Sequence, residues 1–575
     1  MNYLKKLFQS QKIFSADNCT DITKIFSSYE DIQNKFQIPV SDNFNFTRDV
    51  VDYYAQVEPQ KRALVWCNDD GEEKIFSFED ISRDSKKTAQ FLIDNGIKKG
   101  DVVMLMLRRR YEFWYFMVAC HRIGAIAIPA TVQLTDKDIE YRVRSSGAKL
   151  IVTIDDENVN KEIDSALDLI SRAGNTIDEC KKNNFGITTD AGSENSICRK
   201  ITLSQFHKTF DNTNFALYEI PPETKNSDTM VVFFTSGTSG EPKMVAHNFL
   251  YPLGHIVTAL FWQRVSDGGL HLTLAETGWA KALWGKLYGQ WICGSAVFVY
   301  DFITFKPDNV LEKIEKYKVT TFCAPPTIYR YLIRTDFSKH DITSLTHCTT
   351  AGESLSEEVS ETFFKKTNLK IHEAYGQTEA TVIIGNFFDS ETKPGSMGKA
   401  SPCYDVIIEN ENGDECAPNE KGQVVVKLDK KIPLGLFSGY YNDEEKTRAV
   451  FSDKKYYTGD TAYRDEDGYF FYCGRGDDVI KSAGFRISPY EVEKVLASHP
   501  AVMECLVCGI PDEKRGQVVK AMIVLNDGFE PGETLAREIQ EYVFKRIALY
   551  KRPRVVEFVK SLPKTVSDKI VRKKV

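Results

Sequence analysis

Long apolar runs are missing from this chain, and so is an excess of charge of either sign. Its most apolar stretches, such as Trp291 to Tyr300 (WICGSAVFVY), fall well short of the ~20 residues that a bilayer-spanning helix needs. The first residues, MNYLKKLFQSQKIFSADNC, show no apolar core followed by a small-residue cleavage site, so no secretory signal is expected. Lysine and arginine number 74 against 81 aspartate and glutamate, a net charge of −7, which excludes a nucleic-acid-coating protein. With 35 glycines and 20 prolines in 575 residues, fibrous and low-complexity classes are excluded too. Paired cysteine patterns are also scarce. The thirteen cysteines are scattered and odd in number, as expected of a reducing cytoplasm where they pack as small hydrophobes. Cys505 and Cys508 have CxxC spacing, but they lie in the apolar run AVMECLVCGI with no second pair nearby, so they read as buried strand residues. No internal repeat is present.

What is there is alternation. ALVWC, DVVMLML, AIAIPA, KLIVTI and MVVFF read as short buried strands, and FEDISRDSKKTAQFLIDNG and YEFWYFMVACHRIG as helices between them. That order predicts an α/β architecture of largely parallel sheets covered by helices on both faces. The stretch from Asp155 to Asn214 is polar and reads as an elaborated surface segment. Near residues 474–478 the composition shifts: GRGDD separates YFFYC from DVIKSAG and looks like an exposed connection. Beyond it, Ser488, Pro489 and Glu491 predict a helix start with a capping box. The remaining residues read strand, strand, helix, strand, a small α+β domain of their own. Residues 545–575 hold eleven basic and two acidic residues. Composition alone leaves open a solvated tail, a nucleic-acid patch or a docking surface for a small polyphosphate.

The strongest local signal is Thr235–Lys243, TSGTSGEPK, which follows the apolar MVVFF and precedes a stretch read as helical from about Val245. Glycines and hydroxyls in a strand-to-helix turn let backbone N–H groups wrap a phosphate, and Lys243 adds a point charge. The common nucleotide loop GxxxxGK[ST] cannot be laid on it. By itself the string is compatible with an ordinary turn. It does not stand by itself. TSGTSGEPK resembles the phosphate loop of the adenylate-forming superfamily, which includes acyl- and aryl-CoA synthetases, peptide-synthetase adenylation domains and luciferases. HEAYGQTEA (His372–Ala380), YYTGD (Tyr456–Asp460), GRGDDVIKSAGFRISPYEVE (Gly474–Glu493) and LPKTVSDKIVRKK (Leu562–Lys574) resemble further motifs of that family, in order.

The resemblance implies a large N-terminal adenylation domain, residues 1–476, and a small mobile C-terminal domain, residues 477–575. It implies two steps: acid plus ATP gives acyl-AMP and pyrophosphate, then CoA takes the acyl group and AMP leaves. ATP and CoA are thus expected co-substrates and Mg²⁺ the expected cofactor. Small molecules are the expected partners, with neither nucleic acid nor a membrane span. The resemblance assigns Thr235, Ser236, Gly237, Thr238, Ser239, Gly240 and Lys243 to the phosphates. Gly352 and Glu353, with Glu373, Ala374, Tyr375, Gly376 and Gln377, fall to the adenine side, and Thr378 to the α-phosphate. Glu379 is the expected Mg²⁺ ligand, a carboxylate suited to a hard cation. Asp460 is expected on the ribose hydroxyls, with Arg475 and Arg486 on ribose or phosphates. Lys569 should stabilise charge at phosphorus, and Asp477 should be the hinge. Ser482, Ala483, Gly484 and Arg515, with Lys545, Arg546, Tyr550, Lys551 and Arg552, are expected around CoA.

Two departures carry information. The family has glycine before the adenylating lysine, whereas this chain has Asp568, which puts a carboxylate beside Lys569 and implies slower adenylation. It leaves a weakened acyl-adenylate binder as an alternative; a ligase that hands its acyl group to a carrier protein is a separate alternative within the enzyme class. Ala275–Phe302 resembles the medium-chain and branched short-chain acyl-CoA synthetases, with Trp279 at the acyl pocket. Acetate-activating relatives have tryptophan where this chain has Gly376, so the pocket is expected to open there and acetate to be a poor substrate.

Overall fold

The computed structural model describes residues 3–8, 26, 28–174, 198–211, 223–235, 241–353, 355–387, 390–483, 485–564 and 572. Among them the strands form four sheets. In the largest, Ile371–Tyr375, His347–Ala351, Thr321–Cys323, Leu270–Thr273, Ala296–Asp301 and Arg62–Asn68 run parallel side by side, and antiparallel strands close both edges. A second sheet has parallel Thr229–Thr235, Ile126–Pro129, Val102–Met106, Ala148–Thr153 and Arg199–Thr202. The third, around Lys421–Lys427 and Lys455–Arg464, is antiparallel. The fourth belongs to the small C-terminal α+β domain: Val502–Asp512 pairs with Gly516–Leu525, and Val555–Phe558 runs parallel to the latter.

The elements form where the residues demand them. Val102–Met106 is buried at every position, as a strand covered on both faces must be. Helix Phe78–Asp94 begins with a reciprocal capping box: Asp80 N–H donates to Ser77 Oγ (3.1 Å) and Ser77 N–H to Asp80 Oδ2 (2.9 Å). Helix Glu112–Ile123 is apolar nearly all round and buried, and it ends at Gly124 with φ 70°. Its Trp114 indole N–H donates to Lys286 O (2.6 Å), tying it to the first sheet's connections. The main core joins Trp66, Val297 and Val299 of the first sheet to Val103, Leu105 and Val231 of the second. The C-terminal domain has a separate core around Val492, Leu496, Val507, Ile523 and Ile539.

Three expectations change. The segment after the phosphate loop is not a helix: Lys243–Asn248 is a strand antiparallel to Thr229–Thr235, with Thr235 opposite Lys243. The loop therefore joins two antiparallel strands rather than a strand and a helix. The segment is held as a strand because it pairs on both sides, with Thr229–Thr235 and with Gly439–Tyr440. Ser488 does precede helix Pro489–Leu496, but makes no side-chain cap. Its hydroxyl donates to Cys473 O, while Glu491 is taken by Lys421 and Lys551. The polar stretch 155–214 supplies helix Glu157–Gly174 and the edge strand Arg199–Thr202, so it is partly built into the second sheet. Cys505 and Cys508 are buried and free on their strand, as expected.

His121, His247, His255 and His271 are wholly buried, and burial pushes each down to about 3. The unfolded chain therefore binds more protons than the folded one between that value and about 6.5, so stability is lost as pH falls through this range. The loss is of order 1 kcal/mol per histidine per pH unit. Neither ring nitrogen of His255 has a hydrogen-bond partner among the described residues. His255→Phe should flatten the slope of unfolding free energy against pH, measured by urea titrations across roughly pH 5–7. An identical slope in the two proteins would remove His255 from the acid-sensitive set.

Candidate active site

The expected residues collect at the carboxyl ends of adjacent parallel strands, where open α/β sheets bind ligands. Gly352 and Glu353 follow His347–Ala351, and Gly376 to Glu379 follow Ile371–Tyr375, whose Ala374 lies opposite Ala351. Gly352 has φ +97°, a conformation that glycine adopts at no cost, and a side chain there would meet only Lys281 Nζ at 3.7 Å. Glu353 accepts from Thr327 Oγ1 (2.9 Å) and faces Arg330. Glu373 holds Asn386 through its main-chain oxygen (3.0 Å), and burial pushes its carboxyl up to about 8.

The centre is the Asp460 carboxylate on strand Lys455–Arg464 of the third sheet, only 4% exposed. Oδ2 accepts from Tyr375 OH (2.6 Å) and from Gln377 Nε2, and Oδ1 from Tyr472 OH (3.0 Å). Arg475 Nη1 stands 3.7 Å from Oδ1. Burial raises the Asp460 pKa, opposed by the Arg475 charge and these donors. Gln377 is oriented in turn: Tyr456 OH donates to its Oε1 (2.7 Å), and its Nε2 also reaches Thr458 O (2.9 Å). Glu379 Oε1 accepts from Tyr440 OH (3.0 Å), and Thr378 O meets His247 Nε2 at 2.7 Å. Lys243 Nζ lies 5.1 Å from the centre of the same Tyr440 ring.

Other expected residues sit apart from this cluster. Asp477 lies in the turn Gly476–Asp478, where its Oδ1 accepts from Arg475 Nε (3.2 Å). Ser482 and Ala483 lie beside Arg515: Ala483 has φ +48°, and its N–H donates to Arg515 O (2.8 Å). Arg486 is on strand Phe485–Ile487. The Tyr550 ring stacks on exposed Phe485 at 4.2 Å, and Arg546 lies 3.5 Å over Tyr542. Arg552 follows the short turn Leu549–Lys551. The basic segment is less free than its composition implies, for Lys551 pairs with Glu491, Lys564 with Glu504 (2.8 Å) and Arg572 with Glu493 (2.6 Å). Ser236, Gly237, Thr238, Ser239, Gly240, Gly484, Asp568 and Lys569 lie outside the described residues.

Sequence reading missed Tyr440, Tyr472 and Trp284. Tyr472 stands in YFFYC, where alternation along a strand at the motif's edge could have drawn attention to it. Tyr440 and Trp284 gave no local signal. Trp284 also corrects the expectation of open space at Gly376. A Cβ at 376 would lie 2.6 Å from Trp284 Cη2 and 2.9 Å from Thr381 O. An indole from position 284 thus fills the space beside the glycine, and half-buried Trp279 stands at the N-cap of the same helix Ala280–Lys286.

Buried Asp460, with its tyrosine and arginine partners, stands beside the Thr378–Glu379 loop at the strand ends, an arrangement that fits the adenylate-forming class the motifs resemble. The chain belongs to the AMP-binding enzyme family: that family's model matches residues 51–441, and the model of the AMP-binding enzyme C-terminal domain matches residues 491–569. It is similar to the human acyl-coenzyme A synthetase ACSM3, mitochondrial, 39% identical over 98% of this chain and 95% of that protein. The crystal structure of the Brucella canis acyl-CoA synthetase matches at 29% identity and TM-score 0.71, covering 95% of this chain and 98% of that one. The anthranilate CoA ligase AuaEII in complex with anthranoyl-AMP matches at 27% identity and TM-score 0.79, covering 93% and 97%. Among the described residues no helix is long and apolar enough to cross a membrane.

The contact at Gly376 predicts that Gly376→Ala destabilises the protein by about 1–3 kcal/mol, because one partner is backbone and cannot swing away. Urea unfolding of the two proteins measures this, and equal stability would show that the Trp284–Thr381 wall yields freely.

Proposed function

We propose that the protein is an ATP-dependent acyl-CoA synthetase. The carboxylate of the acid attacks the α-phosphorus of ATP and pyrophosphate leaves. The CoA thiol then attacks the acyl carbonyl, forms the thioester and releases AMP. The observation that carries this reading is the convergence of Tyr375, Gln377 and Arg475 on buried Asp460, with Thr378 and Glu379 on the same loop. The names of the similar proteins support it.

Displacement at phosphorus needs charge neutralisation and alignment more than covalent help. Thr378 hydrogen-bonds the α-phosphate, Lys243 and the phosphate loop hold the rest, and Tyr375 lies along the adenine with Gly352 and Glu353 at its edge. Asp460 takes the ribose. An ionised carboxylate offers about four lone-pair sites. Three are engaged here, so the ribose hydroxyls take the remaining one and share with Tyr375 or Tyr472. Glu379 is the proposed Mg²⁺ ligand. It fits: a carboxylate suits a hard cation, and Tyr440 orients one of its oxygens. Bound there, Mg²⁺ supplies positive charge to the phosphate oxygens.

Lys569 is proposed to stabilise the charge at phosphorus, and residues 477–575 to swing about Asp477 between the two half-reactions. Ser482, Ala483 and Gly484 then border the pantetheine path. Arg515, Arg546, Tyr550, Lys551 and Arg552 meet the CoA phosphates once Lys551 exchanges Glu491 for them. The substrate class is a short- to medium-chain or branched acid, with Trp279 at its pocket. The described cysteines are free, which supports a reducing compartment such as the cytoplasm.

Pyrophosphate release and thioester formation, followed over a panel of linear and branched acids, test the reading. No turnover with any acid would overturn it. Lys569→Ala should cut acyl-AMP formation by about 10²–10³-fold and leave thioester formation from supplied acyl-AMP nearly intact. Asp477→Pro should do the reverse, because proline fixes φ near −65° and lets the hinge occupy one state. Equal effects on both half-reactions in either variant would remove that residue from its role.

A further inference from the structure

Thr378 is held from behind by a histidine with no role in the reaction as described. His247 lies on strand Lys243–Asn248, directly after the phosphate loop, and is wholly buried. Its Nε2 is 2.7 Å from Thr378 O. A carbonyl only accepts, so Nε2 carries the proton. Nδ1 is buried and has no hydrogen-bond partner among the described residues. The ring stacks on Tyr251 at 3.8 Å and 28°, and Tyr251 meets His255 edge-on at 4.5 Å. The imidazole is therefore fixed in place and offers one bond, to the Thr378 main chain.

The same short strand acts on the next residue. Val245 and Ala246 pair with Tyr440 and Gly439, and the Tyr440 hydroxyl holds Glu379. Phe437 N–H also donates to Glu379 O (2.7 Å). Within the loop itself, Gln377 and Ala380 exchange only two longer bonds, at 3.1 and 3.3 Å. Outside contacts thus set the orientation of Thr378 and Glu379, and His247 supplies the one at Thr378.

We propose that His247 is a positioning residue for adenylation: its Nε2–H holds the Thr378 carbonyl inward, so that the Thr378 hydroxyl and Glu379 carboxylate face the nucleotide phosphates. The proposal rests on the reading of Thr378 as the α-phosphate contact. Misplacing such a group by about 1 Å costs about 10²-fold in rate. The bond is made before the acid or CoA arrives, so its loss appears in the first half-reaction only.

His247→Phe keeps the ring on Tyr251 and removes the donor. His247→Gln retains an amide N–H near the position of Nε2, whereas the shorter Asn places its amide near Nδ1 and cannot reach. The expected result is a fall of about 10–100-fold in kcat for pyrophosphate release in the Phe and Asn variants. KM for the acid and thioester formation from supplied acyl-AMP should be unchanged, and Gln should recover most of the loss. Should the Phe variant not fold, the Asn and Gln pair decides alone. Equal loss in both half-reactions, full activity in a folded Asn variant, or Gln no better than Asn overturns the proposal. Thr378→Val separates the two readings. If it leaves adenylation intact, the role of Thr378 falls; if it impairs adenylation while His247→Asn does not, only the role of His247 falls.

Discussion

The hydrogen bond from Tyr375 to Asp460 joins two sheets, and the site depends on that joint. Tyr375 ends the outermost of the parallel strands in the large sheet, while Asp460 belongs to the antiparallel third sheet. A carboxylate this deeply buried needs donors, and four side chains converge on it: Tyr375, Gln377, Tyr472 and Arg475. The cost of leaving that charge without partners locks the Gly376–Glu379 loop to the third sheet. It also leads directly to Arg475 and, through it, to Asp477.

The connection between the domains is polar by contrast with their interiors. Lys421 reaches Glu491, and Ser488 donates to Cys473 O. Contacts of this kind are individually weak and exchangeable, unlike the packed cores on either side. Glu491 also holds Lys551, so one carboxylate bridges the domain junction and the basic segment. A proposed phosphate-binding lysine is thus paired internally in this arrangement.

Polar groups are also spent inside the large domain. Histidine and tyrosine alternate through the buried stack of His247, Tyr251, His255 and Tyr288, next to the loop that carries Thr378. Rings of that size fill volume as well as phenylalanine does, so the nitrogens are either positional, as at His247, or costs that the core carries. Trp284 shows the same economy of space: its indole occupies what the glycine at 376 leaves open.

The sequence by itself determined the elements whose information is local. Buried runs such as Val102–Met106 are strands because both faces are covered, and Phe78–Asp94 starts where Ser77 and Asp80 cap each other. The order of the motifs was enough to identify the family and nominate Asp460, Thr378 and Glu379, because residues contacting one ligand cluster in short strings. Tertiary structure decided what depends on residues distant in the chain. Lys243–Asn248 is a strand because it pairs on both sides, and Ser488 abandons its cap for a carbonyl of a neighbouring strand. The partners that orient Gln377 and Glu379 are Tyr456 and Tyr440, 79 and 61 residues away. Room beside Gly376 was set by Trp284, 92 positions earlier (376 − 284). Hydrogen bonds and excluded volume act through space, so no local pattern could announce them.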